Sequence, residues 1–245
     1  KCFNYANANI SYNFYANKSA SYHKNKIEVP VNFFANLSAE WLSAVSNATH
    51  NPIINREGIT AKSEEALAVK EIQIRDPKMM DTFVEVMQYL PNVMFLYFSK
   101  EITLSDEHYA IIKNLRLYSL TVHCPVRNIA SLTNTNSLRI LSLSRMYDAN
   151  INEIADYKNL IKLDIQRKDD TISLAFLPKM LHLEELQLWH ETPSEIGIEN
   201  VTAIEKIPRL NNFSTSNTKN INFDNLVKRA SPFYISVMEQ VEFER

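Results

Sequence analysis

The chain has 245 residues, enough for one large domain or two small ones, with 45% hydrophobic and 22% charged residues, an ordinary globular balance. Its net charge of −2, with both signs mixed along the chain, gives no electrostatic basis for nucleic-acid binding, and charges interrupt every longer apolar window, so no transmembrane helix is expected. Only two glycines occur, Gly58 and Gly197, which excludes the usual forms of phosphate-cradling loops, dinucleotide fingerprints and nucleophile elbows.

In chain order, residues 1–65 carry short segments of mixed type. "ISYNFY" alternates with Ile10, Tyr12 and Phe14 on one side, and "KIEVPV" alternates through Ile27, Val29 and Val31, with Pro30 pointing to an edge. "SAEWLSAVSN" reads as a short helix that turns Phe34, Trp41, Leu42 and Val45 inward.

From residue 69 a single figure recurs. "VKEIQI", "VMFLYF", "LYSLTV", "LRILSL", "LIKLDI", "LEELQL" and "LNNFST" start at 69, 93, 117, 138, 160, 183 and 210. In each, the first, fourth and sixth positions are apolar, except that Thr215 degrades the last, and the residues between are mostly polar. Alternation puts the fourth and sixth side chains on one face of a strand. Between strands, "DPKMMDTFVEVMQYLP" reads as a helix capped by Asp76, with Met80, Phe83, Val84, Met87 and Leu90 on its buried face. "SDEHYAIIKN" starts a helix at Ser105, with two acids in its first turn. "NINEIADYKN" and "FLPKMLH" are short enough for single turns, and "PFYISVMEQVEFER" reads as a closing strand with a charged end.

These units resemble the leucine-rich repeat family, whose unit opens L-x-x-L-x-L and runs about 20–29 residues; the intervals here are 24, 24, 21, 22, 23 and 27. The ninth position departs from the family. It holds Glu101, Pro125, Met146, Lys168 and Glu191 where asparagine or cysteine is usual, so the asparagine ladder between turns is missing. The resemblance implies an α/β fold: a right-handed solenoid with a parallel sheet on its concave face, residues 66–245 forming the repeats and residues 1–65 an N-terminal cap. It also implies a non-enzymatic scaffold that recognises a protein or peptide.

The repeat register aims the fifth and seventh positions at the concave face. The candidate binding residues are Arg75, Tyr97, His123, Asp164, Gln166, Gln187 and Trp189, with Arg139 midway along the face. Tyr97 and Trp189 are of the type that dominates interfaces. No catalytic, metal or cofactor site is expected. The six histidines are scattered without ligand spacing, and His123 and Cys124, adjacent on a strand, point to opposite faces.

Cys2 and Cys124 allow one disulfide. The sequons at Asn9, Asn17, Asn36, Asn47, Asn200 and Asn212 favour a secreted or cell-surface protein, although an asparagine-rich chain also suits an A/T-rich bacterial genome. Two other readings stay open: an intracellular adaptor that docks through residues 33–47, and an enzyme with its site at the junction of cap and repeats.

Overall fold

The computed structural model describes residues 33, 36–49, 54–55, 58–59, 68–132, 136–146, 150–168, 171–192, 195–216 and 234–238. The segments "ISYNFY" and "KIEVPV", Phe34, Cys2, and the sequons at Asn9 and Asn17 lie outside them.

Helix α1 (Ala39–Thr49) opens the described chain. A short antiparallel pair follows, β1 (Ile54–Asn55) and β2 (Gly58–Ile59). The repeats then supply β3 (Glu71–Ile74), β4 (Phe95–Phe98), β5 (Ser119–Val122) and β6 (Ile140–Leu143). They continue with β7 (Lys162–Arg167), β9 (Glu185–His190), β11 (Asn212–Ser216) and β12 (Tyr234–Met238). Two three-residue strands, β8 (Thr171–Ser173) and β10 (Gly197–Glu199), form a separate parallel pair in the return segments.

The eight repeat strands form one parallel sheet in the order β3-β4-β5-β6-β7-β9-β11-β12. Its register is that of the sequence figure. Ile72, Leu96, Leu120, Leu141, Leu163, Leu186 and Phe213, the fourth positions, pair strand to strand with no offset. The fourth and sixth positions stack into the core, as do the first positions from Val69 to Leu210. Burying each of these side chains contributes roughly 1.5–3 kcal/mol before the ordering entropy is set against it. Thr215, at the sixth position of β11, is 0% exposed like the apolar residues it ranks with, and its hydroxyl has no hydrogen-bond partner among the described residues. In β12, Ile235 and Val237 continue the register opposite Phe213 and Thr215.

The return segments differ from unit to unit. The two 24-residue intervals accommodate α-helices, α2 (Phe83–Met87) and α3 (Asp106–Asn114). The shorter units from 138 and 160 return through 3-10 turns at Ile151–Asp156 and Leu177–Lys179. The longest unit, from 183, also returns through a 3-10 turn, at Val201–Lys206, so interval length alone does not set the form of the return. Ser105 caps α3, its Oγ accepting from the His108 N–H, while His108 Nδ1 accepts from the Ser105 N–H at 3.0 Å.

The segment after Asp76 differs from the single helix expected. Asp76 does cap it, accepting from the Lys78 N–H at 2.9 Å, but residues Pro77–Thr82 wind as 3-10 before α2 begins. The buried face is accordingly Met79, Phe83, Val86, Met87 and Leu90, while Met80 is half-buried and Val84 is 36% exposed. Seven apolar residues crowd this stretch, so its apolar arc has no sharp centre, and the tighter first turns set which side faces in.

Side chains other than a ladder asparagine tie successive turns together. Ser99 Oγ donates to the Arg75 carbonyl at 3.1 Å. His190 is buried, with Nε2 at 2.9 Å from the Lys168 carbonyl and Nδ1 at 3.2 Å from the Thr192 N–H. The tautomer with its proton on Nε2 satisfies both. On the return side, the Tyr157 hydroxyl donates to the Ile129 carbonyl, and Glu153 Oε2 accepts from the N–H groups of Ile129 and Ala130.

At the β3 end, α1 packs on β3 and on the 3-10 turn, burying Trp41, Leu42 and Val45. The Trp41 indole Nε1 donates to the Met79 carbonyl at 3.1 Å. A buried indole N–H needs such a partner, and this bond fixes the helix on the first repeat.

Candidate functional site

Strand alternation leaves three ranks of side chains on the exposed face of the sheet. The fifth positions run Gln73, Tyr97, Thr121, Ser142, Asp164, Gln187 and Ser214 from β3 to β11. The seventh positions include Arg75, His123, Gln166 and Trp189, of which Arg75 and His123 lie one residue beyond their strands. A third rank, at the third positions, includes Glu71, Phe95, Ile140, Lys162 and Glu185. The candidate binding residues, taken from the fifth and seventh positions, leave this rank out. Its signal was available, because the third position shares parity with the fifth and seventh. Arg139 stands apart. It precedes β6, and its guanidinium donates back to the carbonyls of Asn136 at 2.9 Å and Leu138 at 3.0 Å.

The structure brings several candidate residues into contact. At the β3 end, Arg75 Nε and Nη2 donate to Gln73 Oε1 at 3.0 and 2.6 Å, and Gln73 Nε2 donates to Glu71 at 2.7 Å. The Arg75 guanidinium lies 5.8 Å from the centre of the Tyr97 ring. Tyr97 meets His123 edge-on, with ring centroids 5.2 Å apart and the Tyr97 hydroxyl 3.4 Å from His123 Nδ1. Beside them, Phe95 packs against Tyr118 at 5.7 Å. The β3–β5 portion of the face is therefore aromatic with a cation at its edge, a composition typical of interface hot spots.

The β6–β9 portion is polar. Ser142 Oγ donates to Asp164 at 3.2 Å and Ser144 Oγ to Gln166 at 3.0 Å. Lys162 Nζ pairs with Glu185 at 2.8 Å, and Gln187 donates to the same carboxylate. Trp189 is half-buried opposite Gln166. Burial pushes the Asp164 carboxyl above the usual aspartate range, against the opposing pulls of Ser142, Lys162 and His123. Burial likewise holds the His123 imidazole below its usual value, against the pull of Asp164, which favours the neutral ring.

Adjacent to His123, Cys124 points the other way, into the core, where burial pushes its thiol up to about 12. It is neither a nucleophile nor a partner for the imidazole next to it. Among the described residues, no three His, Cys, Asp or Glu side chains converge as a metal site.

A hollow of about 740 Å³ opens between α1 and β3, lined in part by Glu40, Asn47, Glu71, Arg75 and Asp76. Its carboxylates have structural work. Glu71 accepts from Gln73, and Asp76 caps the 3-10 turn. Hydrogen bonds to its own backbone and to Ser38 hold the Glu40 carboxyl below the usual range. A general acid at neutral pH needs the opposite shift.

The fold is similar to solved internalins of Listeria monocytogenes strain 4b F2365. Internalin C2 is 16% identical with a TM-score of 0.56, the match covering 88% of this chain and 100% of that one. Internalin F is 16% identical with a TM-score of 0.53, covering 87% of this chain and 72% of that one. No described protein family matches the sequence, and no curated protein does. At this identity the likeness is one of fold, that of the leucine-rich repeat solenoid.

Proposed function

For this chain, which folds as a leucine-rich repeat solenoid, we propose a non-enzymatic recognition scaffold that binds a protein or peptide partner across the concave face. The observation that carries the reading is the Arg75–Tyr97–His123 stack on the solvent side of the sheet. These groups lie on the face of the sheet opposite the buried positions, and aromatic and arginine side chains in such settings supply most of the energy of protein interfaces. Adjacent strands lie about 4.8 Å apart, so the seven strands from β3 to β11 present a surface roughly 30 Å long, suited to an extended segment or a domain edge. The mixed charges and the many hydroxyls and amides favour a polypeptide over an anionic polymer.

The adaptor reading requires residues 33–47 to be free to dock elsewhere. Helix α1 instead buries Trp41, Leu42 and Val45 against the first repeat, which supports a capping role for this segment.

Affinity capture with the wild-type chain, a Tyr97→Ala/Trp189→Ala variant and a return-side control, Lys179→Ala/Glu205→Ala, tests the proposal. A partner retained by the wild type and the control but lost by the concave variant is the expected result. Equal retention by all three proteins removes the concave face from the account.

A further inference from the structure

One carboxylate on the concave face is left undersatisfied by its neighbours. Asp164 stands at the fifth position of β7, near the middle of the sheet, between Ser142 on β6 and Gln187 on β9. It accepts one hydrogen bond, from Ser142 Oγ, and makes no ion pair among the described residues. An ionised carboxylate offers about four acceptor sites. The nearby lysine is otherwise engaged: Lys162, two residues away on the same strand, is bonded to Glu185. His123 approaches from the β5 side with its neutral form favoured. A half-buried carboxylate in this state opposes folding, and an incoming cation relieves it.

The second element is Trp189. It is half-buried on β9, directly opposite Gln166 and therefore diagonal to Asp164, a relation that spans about 8 Å between Cα atoms for parallel strands about 4.8 Å apart that rise about 3.3 Å per residue. Its indole makes no hydrogen bond among the described residues. A carboxylate and an open aromatic side chain at that separation suit a guanidinium, whose planar fork bonds both carboxylate oxygens while its plane and stem lie on the ring. An ammonium is a compact, strongly hydrated point charge that lacks the planar fork, so it neither bonds both carboxylate oxygens in parallel nor stacks flat on the ring. Gln166 and Gln187 occupy the other two corners of the same four-residue square of the register.

We propose that Asp164 and Trp189 together hold an arginine side chain presented by a protein partner. The proposal rests on the concave-face reading and sharpens it, by naming the partner's anchoring residue. It accounts for an otherwise unfavourable carboxylate at the centre of the sheet, and it makes binding pH-dependent, since protonating Asp164 removes the acceptor.

The test uses N-acetyl-arginine amide as the probe, titrated into the ¹⁵N-labelled full chain. The expected result is saturable shifts at the Trp189 indole N–H and the Asp164 amide, at least tenfold weaker in Asp164→Asn and weaker with N-acetyl-lysine amide. Acidification should weaken the arginine response as Asp164 protonates. Asp164→Asn is close to isosteric and removes a desolvated charge, so its melting temperature at neutral pH should not fall, and folding does not confound the comparison. Absence of saturable shifts, or shifts unchanged in Asp164→Asn, overturns the proposal, and an equal response to the lysine amide overturns the choice of arginine. Partner capture separates the two levels: loss in Tyr97→Ala/Trp189→Ala with full retention in Asp164→Asn keeps the concave-face reading and rejects the arginine anchor.

Discussion

Leu163 and its neighbour Lys162 test the repeat register at its centre. Leu163 is 0% exposed at the fourth position of β7, pairing with Leu141 on one side and Leu186 on the other. Truncating a leucine in such a site removes its transfer free energy and leaves a cavity that flanking strands close only in part. Leu163→Ala should therefore cost about 2–5 kcal/mol. For a chain of this size that corresponds to about 4–20 °C in melting temperature, at roughly 2–4 °C per kcal/mol. Lys162 lies on the other face, and its contribution is the pair with Glu185 at 2.8 Å, with both side chains partly in solvent. Such pairs contribute about 0–1 kcal/mol, so Lys162→Ala should move the transition little. Urea denaturation followed by circular dichroism measures both variants. A one-residue slip of β7 would exchange the two faces and reverse the costs. An unchanged midpoint for Leu163→Ala, or a larger loss for Lys162→Ala, refutes the register.

Three further predictions concern polar groups. Thr215→Val should stabilise the chain by about 1 kcal/mol, because it removes a buried hydroxyl without a described partner at nearly constant volume; a lower denaturation midpoint would show that the hydroxyl is satisfied. Tyr157→Phe removes the hydroxyl's bond to the Ile129 carbonyl, which keeps the Leu132 N–H as a second donor, and should cost about 0.5–1.5 kcal/mol in the same assay, whereas a neutral result would mean that the hydroxyl bond adds nothing net. His123 has its folded-state pKa lowered by burial, so the unfolded chain binds more protons across the imidazole range, and stability should fall as pH drops through about 6.5 and below. His123→Gln should flatten part of that fall, and an identical pH profile for the variant would contradict the shift.

The sheet was legible in the sequence because two independent signals coincide. Burial selects apolar residues at the first, fourth and sixth positions, and strand alternation forces the residues between them outward. Aligning the seven figures therefore aligns the strands, and Leu141, Leu163 and Leu186 pair without offset. The aromatic part of the candidate site follows from the same register, since Tyr97 opposes Thr121 and so lies diagonal to His123. What escaped the sequence depends on geometry that alternation does not encode. Arg139 lies ahead of its strand, where a long flexible side chain can fold back on nearby carbonyls. The face of the Met79–Leu90 stretch depends on where 3-10 winding gives way to α, which seven apolar residues leave undetermined. The β8–β10 pair joins two three-residue segments too short to carry a pattern. The turn-to-turn bonds from Ser99 and His190 replace a ladder whose asparagine the ninth position lacks, and no single residue type marks them.

The most direct measurement of the central claim is site-specific photocrosslinking. A benzophenone side chain placed at Thr121 or Gln187 lies on the concave face, and one placed at Lys179 or Glu205 lies exposed among the return segments. The account predicts an adduct of one common mass from the two concave positions and none from the return side. An adduct from Lys179 or Glu205 with silence at Thr121 and Gln187 would contradict it.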